Sequence, residues 1–518
     1  MYFNSKINSL STVKRLSGFG KGLLLFSLFS FIFVFSVFSQ NTSESQPNIV
    51  FFFVDDMGWT DTSVPFYTEI TELNKRYTTP NMERLANEGM KFTQAYAYAV
   101  CSPSRVSLLT GVNAARHRVT NWTLRKDQSP DDDIPVVKSP DWNLNGLSPD
   151  RSVPRTFYSP TLPAELKKLG YKTIHVGKAH FGSMGTPGEN PLNLGFDVNI
   201  GGHAAGGPGS YWGTKDFSAA WRTNGEHVWD VPGLEAYHGQ DIYLTEALTL
   251  EAKKALTEAV EEERPFYLYM SHYAIHAPWE RDDRFYQKYA DQGLTEREAT
   301  YASMIEAMDK SLGDLMNHLE ELGVSDNTIV VFMSDNGVHK EVPQNLPLRG
   351  YKLSPYEGGI RVPLIVKWPE VVMPNSQNED YVFIDDIFPT FLEMAGQVEI
   401  QEKYEIEGES FVTSLIEGEK GNQERSILWH YPNTYYNPPY SILRKGNYKL
   451  IYHHADQKLE LFNIANDISE TRDLSKVQKL KTIEMALLMT GLLQQREAQM
   501  PINKETGLPV PYPSAVID

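Results

Sequence analysis

The sequence predicts an α/β fold with a large, mostly parallel sheet flanked by helices and a small C-terminal antiparallel sheet. Three observations carry this. Four short β-rich runs each end in a cluster of polar residues, helical stretches lie between them, and the texture changes to short alternating strands after about Arg425. Nearly continuous apolar strands suit a sheet covered on both faces, and ligands in such folds gather beyond the carboxyl ends of the strands. The polar clusters are therefore expected to converge.

In chain order, residues 1–39 hold Lys6, Lys14, Arg15 and Lys21, no acidic residue, and an apolar stretch over 23–38. This is the layout of a signal peptide, with Ser39 beside the expected cleavage point and an uncleaved N-terminal anchor as the second reading. A catalytic domain is expected over 40–424. Its first strand, Asn48–Val54, precedes Asp55 and Asp56, and a helical stretch over 106–110 follows Cys101-Ser102-Pro103-Ser104-Arg105. A helix over 162–169 leads to a strand over 172–176, before Lys178 and His180. A helix over 245–260 leads to a strand over 266–270, before His272 and His276. A helix over 295–322 leads to a strand over 328–333, before Asp335 and Asn336. Two insert-like regions interrupt this scaffold, 121–158 with its Asp131-Asp132-Asp133 run and 199–232, rich in Gly, His and Trp. The remainder, 425–518, is expected to form an antiparallel-sheet subdomain with strands over 440–444, 448–452 and 459–462, finished by a helix over 477–496.

Composition narrows the function. The 518 residues, 41% hydrophobic and 12% aromatic, can bury a large core. The single cysteine leaves no disulfide within the chain. Without residues 1–39 the chain carries 44 Lys and Arg against 66 Asp and Glu, a formal charge of −22, which argues against nucleic acid as a partner. No later window approaches the ~20 apolar residues a membrane span needs, so stable insertion after signal cleavage is not expected. A polyanionic ligand would have to find locally basic residues.

Cys101 falls at a helix N-terminus, where exposed N–H groups and the helix dipole attract anions, and Arg105 adds a fixed charge one turn on. Adjacent carboxylates such as Asp55 and Asp56 are costly to hold together at a strand end unless a cation sits between them. Asp335 and Asn336 add two more oxygen ligands, a set that favours a hard ion such as Ca²⁺ or Mg²⁺. Each pair taken alone is equally a turn or helix cap. Lys178 and His180, two apart, would project to one side of an extended segment.

Cys101-Ser102-Pro103-Ser104-Arg105 with Leu109-Thr110-Gly111 resembles the signature through which type I sulfatases have their cysteine oxidised to formylglycine (3-oxoalanine). Gly177-Lys178-Ala179-His180-Phe181-Gly182 resembles the family's Gly-Lys-X-His-X-Gly segment, with Ala179 and Phe181 replacing the common Trp and Leu. His276 before Ala277-Pro278, and Lys352 ahead of Glu357-Gly358-Gly359, match further motifs, as does the terminal-sheet pattern around 443–463. The resemblance spans most of 47–518, and the export signal, single cysteine and aromatic inserts suggest a likeness to bacterial polysaccharide sulfatases.

It implies an alkaline-phosphatase-like sandwich, one calcium ion held by Asp55, Asp56, Asp335, Asn336 and the residue made from Cys101, and a formylglycine-generating maturation enzyme. The implied catalytic set is Cys101, Arg105, Lys178, His180, His276 and Lys352, while His272, Arg361 and the Glu-Gly-Gly turn are structural. The implied substrate is a sulfated carbohydrate, with algal polymers as candidates and His203, Trp212, Trp221, Arg222, His227 and Trp229 as residues that could contact sugars. The signal layout of residues 1–39 sets the expected location as periplasmic or secreted. A phosphodiester or phosphonate hydrolase of the same superfamily and a non-catalytic carbohydrate-binding relative are the alternatives.

Overall fold

A computed structural model describes residues 46–397, 405–418 and 421–517. The signal peptide expected at 1–39 lies outside the described residues. Among those described, no helix is long and apolar enough to cross a membrane.

The main sheet has nine strands. Across it run Val382–Phe383, Met90–Tyr96, Arg361–Lys367, Thr328–Ser334, Asn48–Val54, Phe266–Ser271, Lys172–Gly177 and Val198–Ile200, with Ser376–Asn378 pairing beside Met90–Tyr96. Only Arg361–Lys367 runs against the others. The four strands expected from sequence lie side by side in register, Asn48–Val54 between Thr328–Ser334 and Phe266–Ser271. Their polar sequels therefore leave the sheet at one edge.

The sheet is a middle layer because its central strands are apolar on both faces. Along Asn48–Val54, Ile49, Phe51 and Phe53 enter one core while Val50, Phe52 and Val54 enter the other. Helices Cys101–Thr110, Leu162–Lys168 and Ile387–Met394 cover the first face; Pro80–Glu88, Leu244–Glu261 and Glu296–Glu321 cover the second. A Thr295 capping box starts the last of these, its side chain and Glu298 satisfying each other's backbone N–H groups.

A four-stranded antiparallel sheet follows, in the order Ile427–Tyr431, Tyr440–Lys445, Tyr448–His453, Lys458–Asn463. Helix Lys479–Gln495 packs on one face through Met485, Met489 and Leu493. The other face sends Trp429, Ile442, Ile451 and Phe462 into the core that holds helix Cys101–Thr110.

Candidate active site

Cys101 opens its helix directly after the extended residue Val100, and Gly111, at a left-handed φ of 67°, closes it with an N–H bond to Ser107. Ser104 ties this N-terminus to the neighbouring strand end, donating its hydroxyl to the Asp335 carbonyl at 2.6 Å. Arg105, fully buried one turn in, donates Nε and Nη2 to Asp335 Oδ2 at 3.0 and 2.8 Å and Nη1 to Ser271 Oγ at 2.7 Å. With a further bond from Nη1 to the Lys178 carbonyl at 3.2 Å, it joins three strand ends under the helix.

Around Cys101 stand two lysines and two aspartates. Lys352 Nζ lies 3.2 Å from the Cys101 sulfur and pairs with Asp56; Lys178 Nζ donates to Asp55 Oδ2 at 2.6 Å. Burial, then the Asp335 carboxylate, push Asp55 well above the usual carboxylate range. Burial alone would raise Asp56 too, but the Lys352 ammonium and His276 hold it below that range. Lys352 is in turn held protonated by Asp56 against the cost of its own burial.

Asp55, Asp56 and Cys101 present ligand atoms within 4.8 Å of one another. The Asp335 Oδ1 atom accepts from the Asp56 N–H at 3.2 Å. Asn336 gives Nδ2 to Asp56 Oδ1 at 2.8 Å and to the Gly337 carbonyl, while its buried Oδ1 has no partner among the described residues. Three carboxylates and an orphaned amide oxygen offer a set of oxygen ligands that fits a hard divalent cation.

Two histidines complete the ring. His180 takes a left-handed backbone (φ 57°), bonds the Thr123 carbonyl through Nε2 at 2.8 Å, and leaves Nδ1 buried without a partner. Burial, then Lys178, hold it well below the ordinary imidazole range. His276 meets the Ala277 carbonyl through Nδ1 at 2.6 Å and turns Nε2 toward Asp56, 3.9 Å away; burial pushes it down to about 3. His272 bonds Ser311 beneath Phe52, and Arg361 gives Nε and Nη2 to the Thr93 carbonyl, contacts that tie both side chains to the surrounding fold.

Cys101, His180, His276 and Lys352 line one cavity of about 300 Å³, an order suited to a small polar ligand. Of the six loop residues expected to contact sugars, only Trp229 lines it. His203 is half-buried, Trp212 packs on Tyr243, Trp221 lies outside under Lys215, Arg222 bonds the Gly209 carbonyl and His227 pairs with Asp230. These residues hold their loop down.

Other walls escaped the sequence reading. Trp122, His339 and Lys340 line the cavity, as do Tyr435 and Tyr436 from the loop of the small sheet, which the sequence had assigned to the fold alone. Their signal was weak: a Tyr-Tyr pair inside a Pro- and Asn-rich turn, with nothing local to direct it.

A family model described as Sulfatase matches residues 47–397, more than half of the chain. The chain belongs to the sulfatase family. This sulfatase also matches a model described as N-sulphoglucosamine sulphohydrolase, C-terminal, over 352–498. A "Sulfatase" of Formosa agariphila is 30% identical across 95% of the present sulfatase and 96% of its own length. The N-acetylgalactosamine-6-sulfatase of Homo sapiens is 31% identical across 75% of the chain and 69% of its own. The structure of Ps i-CgsB in complex with k-i-k-neocarrahexaose superposes with a TM-score of 0.70 at 27% identity, covering 87% of this sulfatase and 94% of that chain. The protein is a sulfuric ester hydrolase, and its sheet between helices with a small antiparallel sheet is the alkaline-phosphatase-like sandwich expected from the sequence.

Proposed function

We propose that this chain is an exported, calcium-dependent sulfatase that removes sulfate ester groups from a carbohydrate, an algal polysaccharide or its oligosaccharides, through a formylglycine made from Cys101 by a maturation enzyme. The observation that carries this reading is the meeting of Cys101, Lys178 and Lys352 with the oxygen cluster of Asp55, Asp56, Asp335 and Asn336. Support for the substrate class comes from relatives named for an amino sugar and a structural neighbour solved with a neocarrahexaose. Support for a periplasmic or secreted location comes from the basic-then-apolar layout of residues 1–39. The catalytic part is assigned to 40–424 and the antiparallel-sheet part to 425–518.

A sulfate ester of a sugar resists hydrolysis because its leaving alkoxide is poor and its charge repels nucleophiles, so the site must neutralise charge and donate a proton. When present, hydrated formylglycine supplies two hydroxyls on one carbon and calcium supplies positive charge against the sulfate oxygens. Asp55, Asp56, Asp335 and Asn336, with residue 101, would hold the ion. Lys178, Lys352 and His276 would hold the sulfate oxygens, and His276 or Lys352 would protonate the departing sugar oxygen. Arg105 fixes Asp335, leaving that carboxylate its Oδ1 edge for the ion and residue 101. His180, whose Nε2 is spent on Thr123, keeps Nδ1 as the acceptor for a proton from residue 101.

The test is inorganic sulfate released from sulfated algal oligosaccharides and glycosaminoglycans by calcium-loaded protein of confirmed formylglycine content, beside Cys101→Ala. Release by the first protein alone is expected. Silence from fully converted enzyme across both classes, with turnover of phosphodiesters, would overturn the reading.

A further inference from the structure

A second cavity, of about 870 Å³, adjoins the catalytic one and shares Tyr351 and Asn437 with it as common walls. One stretch of chain lines both: it leaves the metal-ligand pair at Asp335 and Asn336, passes His339 and Lys340 in the first cavity, and reaches Leu346 and Arg349 in the second before returning at Lys352. Tyr356 and Tyr440 give the second cavity aromatic walls, and Leu346 stands 68% exposed at its edge.

Arg349 is the feature that gives this space a chemistry. Its guanidinium carbon lies 3.7 Å from the Tyr356 ring centroid, and Nη1 donates to the Glu470 carbonyl at 2.9 Å. No carboxylate pairs with it among the described residues, and the remaining N–H donors of an exposed arginine are free for a planar anion. Lys340, on the catalytic side, likewise rests on a ring, that of Tyr436 at 4.1 Å, without a carboxylate. In a chain of formal charge −18, two uncompensated cations on either side of the Tyr351 and Asn437 saddle select for an anion that spans it.

We infer that the second cavity holds the saccharide unit next to the one whose sulfate is cleaved, and that Arg349 binds an anionic group on that unit. The inference rests on the carbohydrate sulfatase reading above and adds to it a preference for sulfated oligomers over single units.

The experiment is calorimetric titration of full-length, calcium-loaded Cys101→Ala protein with sulfated hexasaccharides and the matching disaccharides of carrageenan and chondroitin sulfate. For one of the two polymers the hexasaccharide should bind about 10-fold tighter or more, the scale of one charge-assisted contact plus stacking. Arg349→Ala should remove most of that advantage, costing the hexasaccharide far more than the disaccharide, and Arg349→Lys should restore part of it. No length advantage, or an advantage that survives Arg349→Ala, would overturn the inference. Sulfate release from disaccharides by the converted wild-type enzyme separates the failures: release without a length advantage sinks this inference alone, whereas neither release nor binding sinks both readings.

Discussion

A β-carbon on Gly206 would stand 2.4 Å from Cε1 of His180, so the imidazole lies directly on bare backbone. The next residue does the same for the other histidine, since a β-carbon on Gly207 would stand 2.8 Å from His276 Nδ1. Neither glycine has a positive φ; what they supply is room. Gly206→Ala should push the His180 ring off Thr123 and lower kcat by about 100-fold, the cost of misplacing a reacting group by ~1 Å. Sulfate release and thermal unfolding of the same preparation check this: activity should fall while Tm moves little. A fully active Gly206→Ala would show that the ring moves without consequence.

Arg105 and Asp335 form an ion pair in which both side chains are wholly shielded from water. Replacing Arg105 by Met keeps the bulk but leaves the Asp335 charge unpaired beside Asp55 and Asp56, which costs about 3–5 kcal/mol. Arg105→Met should therefore lower the denaturation midpoint markedly, in addition to abolishing sulfate release. Arg105→Lys should recover only part of the stability, because a lysine cannot reach Asp335, Ser271 and the Lys178 carbonyl together. An Arg105→Met protein as stable as wild type would contradict this account of the pair.

Calcium should stabilise the protein, because an ion that binds only the folded state adds about 2.7 kcal/mol at 100-fold excess over its dissociation constant. Asn336→Ala removes the orphaned amide oxygen without adding charge, so the calcium-induced rise in Tm should shrink. Apo stability should fall less, since Asn336 loses only its bonds to Asp56 and Gly337. Differential scanning calorimetry with calcium and with chelator reads both quantities independently of activity. Equal calcium shifts in wild type and Asn336→Ala would remove Asn336 from the ligand set.

Asp309, on helix Glu296–Glu321, caps another helix: its carboxylate accepts the N–H groups of Asn81 and Met82 at 3.0 and 2.7 Å. Burial nevertheless pushes its pKa up to about 6. A carboxyl with a raised folded pKa binds its proton more tightly in the native state, so its stabilising contribution is present below the unfolded value near 4 and is lost as pH rises through 6. Wild type should thus gain about 2–3 kcal/mol relative to Asp309→Asn between pH 7 and pH 4. Unfolding midpoints of both proteins across that range test the sign; a wild type that loses stability relative to Asp309→Asn toward low pH would reverse it.

The parts of this molecule legible in sequence are those set by local pattern. Asn48–Val54 could be read to the residue because six consecutive apolar, β-favouring positions end at two aspartates. Arg361–Lys367 and Met90–Tyr96 were not read as strands, although both are long members of the sheet. The first crosses the sheet in the opposite direction and carries Pro363, while the second alternates and has a register shift between Phe92 and Ala95. Within the site, Cys101, Lys178, His276 and Lys352 stood out because short motifs carry them. Tyr435, Lys340 and Gly206 did not, because their roles arise only when distant loops meet around one cavity.

The Cys101 thiol is 3% exposed at the first turn of its helix, and burial pushes its pKa up to about 11. Thiol chemistry runs through the thiolate, so the unconverted native protein should react with a disulfide reagent about 100-fold more slowly than the unfolded chain. The same burial bears on maturation. An enzyme that oxidises this side chain must reach it, and Ser104 and Arg105 of the surrounding signature are wholly enclosed by Asp335, Ser271 and the Lys178 carbonyl in the fold. Unconverted protein presented folded to a formylglycine-generating enzyme should stay a cysteine, whereas the chain presented during synthesis should be converted. Mass spectrometry of the peptide containing residue 101 distinguishes the two, and efficient conversion of the folded protein would mean that the helix N-terminus opens readily.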